Sequence, residues 1–451
     1  MHTRILLFVF TLWAGLLAAQ PKQNSPYSRF GIGDPVPQYF PVQAAMGGMT
    51  AAFHDPYHLN FQNPASFAFL RATAFEGALY GKNSNYQSGS VSQSNWSGNL
   101  SYLALGFTLK SPINEVLDRV QSPWQAGMGV SLMPYSLIGY NIEARDTLPD
   151  IGAVTNAFEG RGGAYRMNWS SALKYKNTAA GINLGWMFGK AIFENTTTFD
   201  DSLPTAVFHP RSFRNNFRDQ QTFNGFIWRA GLQHDFVLKR LQADRSVPER
   251  WLTVGITGEG SRTIRSVADV IRIRSRDRQS NGSYLTPDTL VFNTGLEQEL
   301  TLPATLSLGV QYVNSTKFKI GAEYIFTNGS VFNNQVRSGE TTRNTHAVSG
   351  GLEYTPDYNS YNNYTKRIRY RIGGYYRQDQ RVIDGRGLDD LGITFGLGLP
   401  LILPRQQTSF LNAALELGQL GANTTISETY FRISLGFTLN DNSWFYKRRF
   451  E

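Results

Sequence analysis

The chain has 451 residues, no cysteine, an excess of nine Lys and Arg over Asp and Glu, and an aromatic content of 13 %. The missing cysteine excludes disulfides, thiol chemistry and a lipid-modified cysteine anchor. After the N-terminus no stretch reaches the 18 or more apolar residues of a transmembrane helix, so the exported chain is either soluble or a β-barrel.

Residues 1–19 read as a secretory signal peptide, with Arg4 as the positive region, Ile5 to Leu17 as a short apolar core and Ala18-Ala19 as the cleavage site. A cytosolic buried helix is the alternative. Residues 20–71 read as a periplasmic lead-in and luminal plug. The lead-in is irregular, with Pro21, Pro26, Pro35, Pro37 and Pro41. Residues 42–67 are rich in small residues, then turn polar. Gly47 and Gly48 permit tight turns or close approach to a wall. Asp55 lies in the polar part, and Pro64 holds Asn63 extended and ends any helix there. The expectation is that this stretch lies inside a closed barrel; a surface segment before the first strand is the alternative.

From residue 72 the pattern has period two. Alternating runs fall at 72–82, 96–109, 125–140, 164–176, 179–194, 221–235, 251–265, 303–313, 317–327, 346–354, 367–377, 390–401, 409–417 and 428–439. Fourteen is an even number, as a closed bacterial outer-membrane barrel requires, and it makes the outward connections the longer set. The fold expected is all-β: a 14-stranded antiparallel transmembrane barrel over residues 72–451, with the N-terminal plug in its lumen. Residues 266–302 carry a possible extra extracellular hairpin. Pro134 interrupts the third strand and marks a kink or bulge. Tyr80, Trp96, Tyr102, Trp124, Tyr135, Tyr140, Trp169, Tyr175, Trp186 and Trp251 lie near strand ends and suit interfacial girdles. A secreted β-sandwich with those aromatics in its core is the alternative; the lack of any domain joint favours the barrel.

No enzyme site emerges. There is no Gly-x-Ser-x-Gly elbow, no paired-carboxylate site and no nucleotide loop around Gly127 or Gly181. His54 and His58 are four apart, but Pro56 interrupts a helix there and no third ligand is evident, so no metal and no cofactor is expected. Arg211, Arg214 and Arg218 interleave with Phe213 and Phe217 in one outward loop, and Arg262, Arg265, Arg272, Arg274, Arg276 and Arg278 line another. These suit the anionic outer leaflet, lipopolysaccharide phosphates, or capture of an amphipathic ligand with an acidic head. Export argues against nucleic acid as partner.

Met46-Gly47-Gly48-Met49-Thr50-Ala51-Ala52, then Asp55, then Asn63-Pro64-Ala65 resembles the N-terminal signature of the long-chain fatty-acid transporter family of outer-membrane proteins. Leu302-Pro303-Ala304-Thr305-Leu306-Ser307-Leu308-Gly309-Val310 resembles a strand opening of its second half. Residues 25–34 and 444–449 look like Bacteroidetes members. The resemblance implies a 14-stranded barrel with an N-terminal hatch, hydrophobic ligands such as fatty acids, and a lateral route beside a kinked third strand, which would fall at Pro134. A relative of that family serves a secretion machinery instead. Two functions are therefore expected to compete: passive uptake of small hydrophobic or amphipathic compounds across the Gram-negative outer membrane, or a non-transporting barrel that partners secreted or surface proteins.

Overall fold

The computed structural model describes residues 24–110, 122–148, 152–199, 213–241, 248–278, 284–314, 317–337, 340–403 and 407–441. The expected signal peptide and Arg211 lie outside the described residues. Sixteen strands of ten residues or more are present among those described. In chain order they are β1 (Thr73–Ser88), β2 (Val91–Thr108), β3 (Trp124–Leu148), β4 (Gly152–Tyr175), β5 (Thr178–Phe199), β6 (Phe213–Arg240), β7 (Pro248–Glu259) and β8 (Arg262–Arg278). The second half comprises β9 (Tyr284–Leu302), β10 (Thr305–Asn314), β11 (Phe318–Thr327), β12 (Thr345–Tyr354), β13 (Arg369–Ile383), β14 (Arg386–Leu403), β15 (Gln407–Leu420) and β16 (Ser427–Asp441).

Fourteen of them close an antiparallel barrel. β16 returns to β1 from Ser427↔Gln87 to Asp441↔Thr73, so the last barrel strand is joined to the first. Closure is what lipid demands, because a hydrocarbon solvent offers no hydrogen bond to a free strand edge. The remaining two, β8 and β9, are the extra hairpin. β7 pairs directly with β10 over Arg250–Glu259 and Thr305–Asn314, which closes the wall beneath it. β8 instead pairs with the outer half of β6, from Phe213↔Arg276 to Asn224↔Arg265.

Each strand alternates as a lipid-exposed wall should. The outward phase is filled by Leu79, Ile182, Leu184, Val254, Ile256, Leu308, Ile320, Ile393, Leu435 and their like, all exposed. The inward phase holds Glu76, Arg166, Asn183, Gln233, Glu323, Glu353 and Arg371, all buried. This is the reverse of a soluble protein, and it places the polar core inside the cylinder.

Two expectations need correction. Residues 141–163 and 378–389, which lie between the expected runs, are mostly strand, as are the described parts of 195–220. β3 and β4 stay paired to Leu148↔Gly152, β5 and β6 to Thr198↔Arg214, and β13 and β14 to Ile383↔Arg386. Above the bilayer both faces meet water, so the apolar alternation ends while backbone pairing continues. The aromatic girdle is also smaller than expected. Trp96, Trp124, Trp169, Tyr175 and Trp186 are exposed, whereas Tyr102 and Tyr140 are buried and Tyr80 and Tyr135 line an internal cavity.

Replacing residues 261–303 by a short glycine-containing turn is expected to leave a heat-modifiable barrel on gels, because β7 and β10 are already paired. A protein that no longer folds in detergent would contradict this topology.

Candidate functional site

The first candidate is the segment from Phe40 to Leu70. Its apolar side chains Phe40, Val42, Met46, Phe53, Leu59, Phe61 and Phe67 are buried. Asn63 is extended (φ −121°) and its side-chain oxygen accepts from the Ala65 amide, capping a 3₁₀ turn that starts at Pro64. That local chemistry matches what Asn-Pro demands. Gly47 has φ +74° and Gly48 φ +84°. A Cβ on Gly47 would lie 2.5 Å from the Gly374 carbonyl oxygen of β13 and 2.8 Å from that of Gly350 on β12. The Gly47 amide donates to Thr394 Oγ1 at 3.0 Å, and its carbonyl accepts from Arg377 at 3.0 Å.

The wall answers with glycines of its own. A Cβ at Gly127 would strike the Phe67 carbonyl, at Gly255 the Ala51 carbonyl, at Gly351 the Met46 backbone, and at Gly181 the Pro64 backbone. Those four lie on β3, β7, β12 and β5, so the segment touches the inward face on many sides. Gly127 and Gly181 fall within the expected runs 125–140 and 179–194; their reason is the backbone they face.

Inward charges hold the segment. Asp55 is bonded by Lys319 at 2.8 Å and Arg369 at 3.1 Å, and Lys319 also meets Glu353 at 3.3 Å, itself gripped by Arg371 at 2.6 Å. Burial opposes ionisation of Asp55, but Lys319 and Arg369 hold its carboxyl well below the usual carboxylate range. Glu323 accepts from the Ala51 amide at 2.8 Å and from the Thr50 amide. Gln233 donates to the carbonyls of Ala51 and Phe53. His54 and His58 diverge: His54 meets Asp235 of β6 at 3.1 Å and His58 meets Glu76 of β1 at 3.2 Å. The sequence reading missed Lys319, Glu323, Glu353, Arg369 and Arg371. Their signal was a charge on the phase opposite the apolar outward residues, interspersed with glycine and serine.

The second candidate is a split in the wall. β2 and β3 pair only from Leu103↔Leu132 to Thr108↔Gly127. Each strand carries an extra residue at the parting point: Ser101 in β2 and Tyr135, directly after Pro134, in β3. Beyond it Met133, Pro134, Ser136, Leu137 and Ile138 are buried in succession, so β3 loses its outward phase and turns into the lumen. The lead-in covers its freed edge. Asp34 and Pro35 pair with Leu137 and Ser136, the Val36 amide donates to Tyr135 at 3.0 Å, Gln38 donates to the Pro134 carbonyl at 2.8 Å, and the Ser25 amide reaches Gly139 at 2.8 Å. Arg381 anchors this strap through Asp34 at 2.5 Å and the Tyr27 carbonyl at 2.9 Å. Burial pushes the Tyr27 hydroxyl up to about 12.

A cavity of about 730 Å³ lies between strap and wall. It reaches Ser101 on one side of the split and Tyr135 and Ser136 on the other. Its lining mixes Tyr39, Val36, Ile325 and Phe332 with Arg166, Arg377, Glu416 and Arg432.

Of the expected capture residues, Arg214, Phe217 and Arg218 have described side chains, and these three do not share one face. The segment from 213 to 218 is strand, so Arg214 and Arg218 face one way and Phe217 the other. Arg218 instead pairs with Glu194 at 3.4 Å. Phe217 shares its face with Arg272, whose guanidinium lies 5.3 Å from the ring and also meets Asp219 at 2.7 Å.

A family model described as BamG matches residues 1–451. No curated protein matches by sequence. Among solved structures, the fold is similar to the toluene transporter TodX of Pseudomonas putida, at 14 % identity over 92 % of this chain and 100 % of that one, with a TM-score of 0.51. It is also similar to a Pseudomonas aeruginosa FadL homologue, at 13 % identity over 88 % and 96 %, TM-score 0.51. These likenesses show the fold, that of an outer-membrane β-barrel.

Two predictions concern Asp55. Asp55→Asn leaves Lys319 and Arg369 with Glu353 as their remaining carboxylate and is expected to weaken the segment's seat by about 3 kcal/mol. The barrel should persist on gels while single-channel conductance rises. Because the folded carboxyl lies below its unfolded value of roughly 3.9, its contribution is complete above that value and lost only as pH falls further. Conductance of the unmodified protein is expected to stay flat from pH 8 to 5 and rise only below about pH 4.

Proposed function

We propose that this chain, which belongs to the BamG family, is an outer-membrane channel that passes small hydrophobic or amphipathic compounds, fatty acids among them, sideways between its cavity and the outer leaflet. The observation that carries the reading is the split: pairing of β2 and β3 stops at Leu103 and Leu132, and the cavity reaches both lips. The segment from Phe40 to Leu70 acts as the hatch that denies a straight path to the periplasm. Pro134 starts the lateral opening by withholding a ladder donor, and Tyr135 completes it as the extra residue. TodX is a toluene transporter, which supports the same substrate class. Capture at the surface falls to Phe217 beside Arg272, with Arg211, Phe213, Arg214 and Arg218 nearby in sequence.

A second reading is a non-transporting barrel that partners other outer-membrane or surface proteins. The charged lining of the cavity favours it, since hydrophobic ligand sites are mostly apolar. Pro134→Val with deletion of Tyr135 removes the bulge and should extend β2–β3 pairing outward. Cellular uptake of a fluorescent fatty acid is then expected to drop at least several-fold with the barrel still heat-modifiable. Uptake equal to the unmodified protein, or equal with and without the gene, would favour the partner reading.

A further inference from the structure

We propose that the outer half of β2 is a docking edge to which an extended segment of another protein adds as a strand. β2 is paired with β1 from Val91 to Gly106, but its other edge finds β3 only from Leu103 onward. Among the described residues nothing pairs with that edge between Val91 and Tyr102. The Leu100 amide turns to the side-chain oxygen of its own neighbour Asn99, at 2.8 Å, in place of a strand partner. Trp96, Leu100 and Leu103 are exposed on the outward face, which puts residues 96–103 of this edge at the level of the apolar belt. Unpaired backbone is least tolerated there.

Apart from the bulge at Ser101, the edge also lacks the usual sequence protections. Residues 91–104 contain no Lys, Arg, Asp, Glu or Pro, the residues that normally keep an exposed edge from pairing. The opposite lip shows the contrast. β3 is freed by the same split, and the chain covers it with its own strap at Asp34 and Pro35. One lip is capped from within and the other is left available.

The shape of the slot selects the occupant. β2 and β3 are joined at Leu103 and Leu132 and diverge outward, so the slot is a wedge. A single extended chain fits a wedge; the wall of a second barrel does not. The added strand would alternate, with apolar side chains beside Trp96 and Leu100 and small polar ones beside Ser97 and Asn99, following the pleat of β2. This goes beyond the channel reading and does not rest on it: uptake can fail while docking stands.

The test places a photoreactive benzoylphenylalanine in the full-length protein at Gln93, Asn95, Ser97 and Asn99 in turn, in the native cell. The expected result is crosslinking to one protein, with the crosslinked residue on that partner stepping in register as the probe moves along β2. Crosslinks only to lipid, only to residues 24–38 of this chain, or to unordered sites on several proteins would overturn the proposal. A second arm compares Ser94→Pro with Asn95→Pro. Successive residues of an antiparallel strand direct their amides to opposite sides, so one substitution removes a bond to β1 and the other only a slot-facing donor. The variant that keeps the heat-modifiable barrel should lose crosslinking from Asn99 at least tenfold. Retained crosslinking in that variant would also overturn it.

Discussion

Everything in this molecule follows from one requirement: inside a bilayer each backbone amide and carbonyl must find its partner within the protein. That requirement closes β16 onto β1 and sets the apolar phase outward. It also explains the strap. Where β3 leaves β2 behind Pro134, its edge would be unpaired, and Asp34, Pro35, Val36 and Gln38 supply the missing bonds. The N-terminal lead-in is therefore part of the sheet, although it contributes only a two-residue ladder. Two bulges at one level, Ser101 and Tyr135, let the wall part without breaking either outer neighbour, since β1 and β4 remain continuous.

Closing the cylinder creates a second problem. A polar interior must be filled by something that satisfies it. The segment from Phe40 to Leu70 does so with backbone groups as much as side chains: Glu323 binds amides, and Gln233 and Asn183 bind carbonyls. Backbone can come this close only where the wall has no Cβ. Hence Gly127, Gly181, Gly255 and Gly351 on the inward phase, and Gly47 on the segment itself, whose left-handed φ no β-branched residue would adopt. Charge follows the same logic. Asp55 is fully enclosed, so it must be paired, and two cations, one from the start of β11 and one from the start of β13, meet it.

Strand number was legible because lipid writes a strict period-two code, and all fourteen barrel strands overlap the runs expected for them, although the run at 251–265 crosses Gly260-Ser261 into β8. The code stops at the headgroups. That is why the outer extensions of β3 to β6 read as loops, and why the arginines and phenylalanines near 214 read as one surface when strand geometry separates them. The hairpin of β8 and β9 did leave a trace, the alternation Val270-Ile271-Arg272-Ile273-Arg274. Pro134 marked the kink from sequence alone. Ser101 and the strap left no comparable mark: a serine bulge has no local signature, and the role of Asp34 exists only because Arg381, far along the chain, meets it.

Parting the structure along the axis and parting it at the split differ energetically in kind. Withdrawing the luminal segment means breaking the Asp55 pairs, each of a type whose loss leaves a buried charge at a cost of about 3–5 kcal/mol, together with the bonds to Glu323 and Gln233. It also means drawing carbonyls past glycine-lined walls that fit them closely. The split needs none of this. Its lips are already parted from each other beyond Leu103 and Leu132, and the cavity behind them is already open to Ser101 and Tyr135. Any molecule or chain that engages this barrel within the membrane therefore meets less resistance from the side than along the axis. The rigid interior and the yielding wall are two consequences of the same rule: backbone groups in lipid stay where they are paired, and only the edge that lacks a partner has anything to gain by moving.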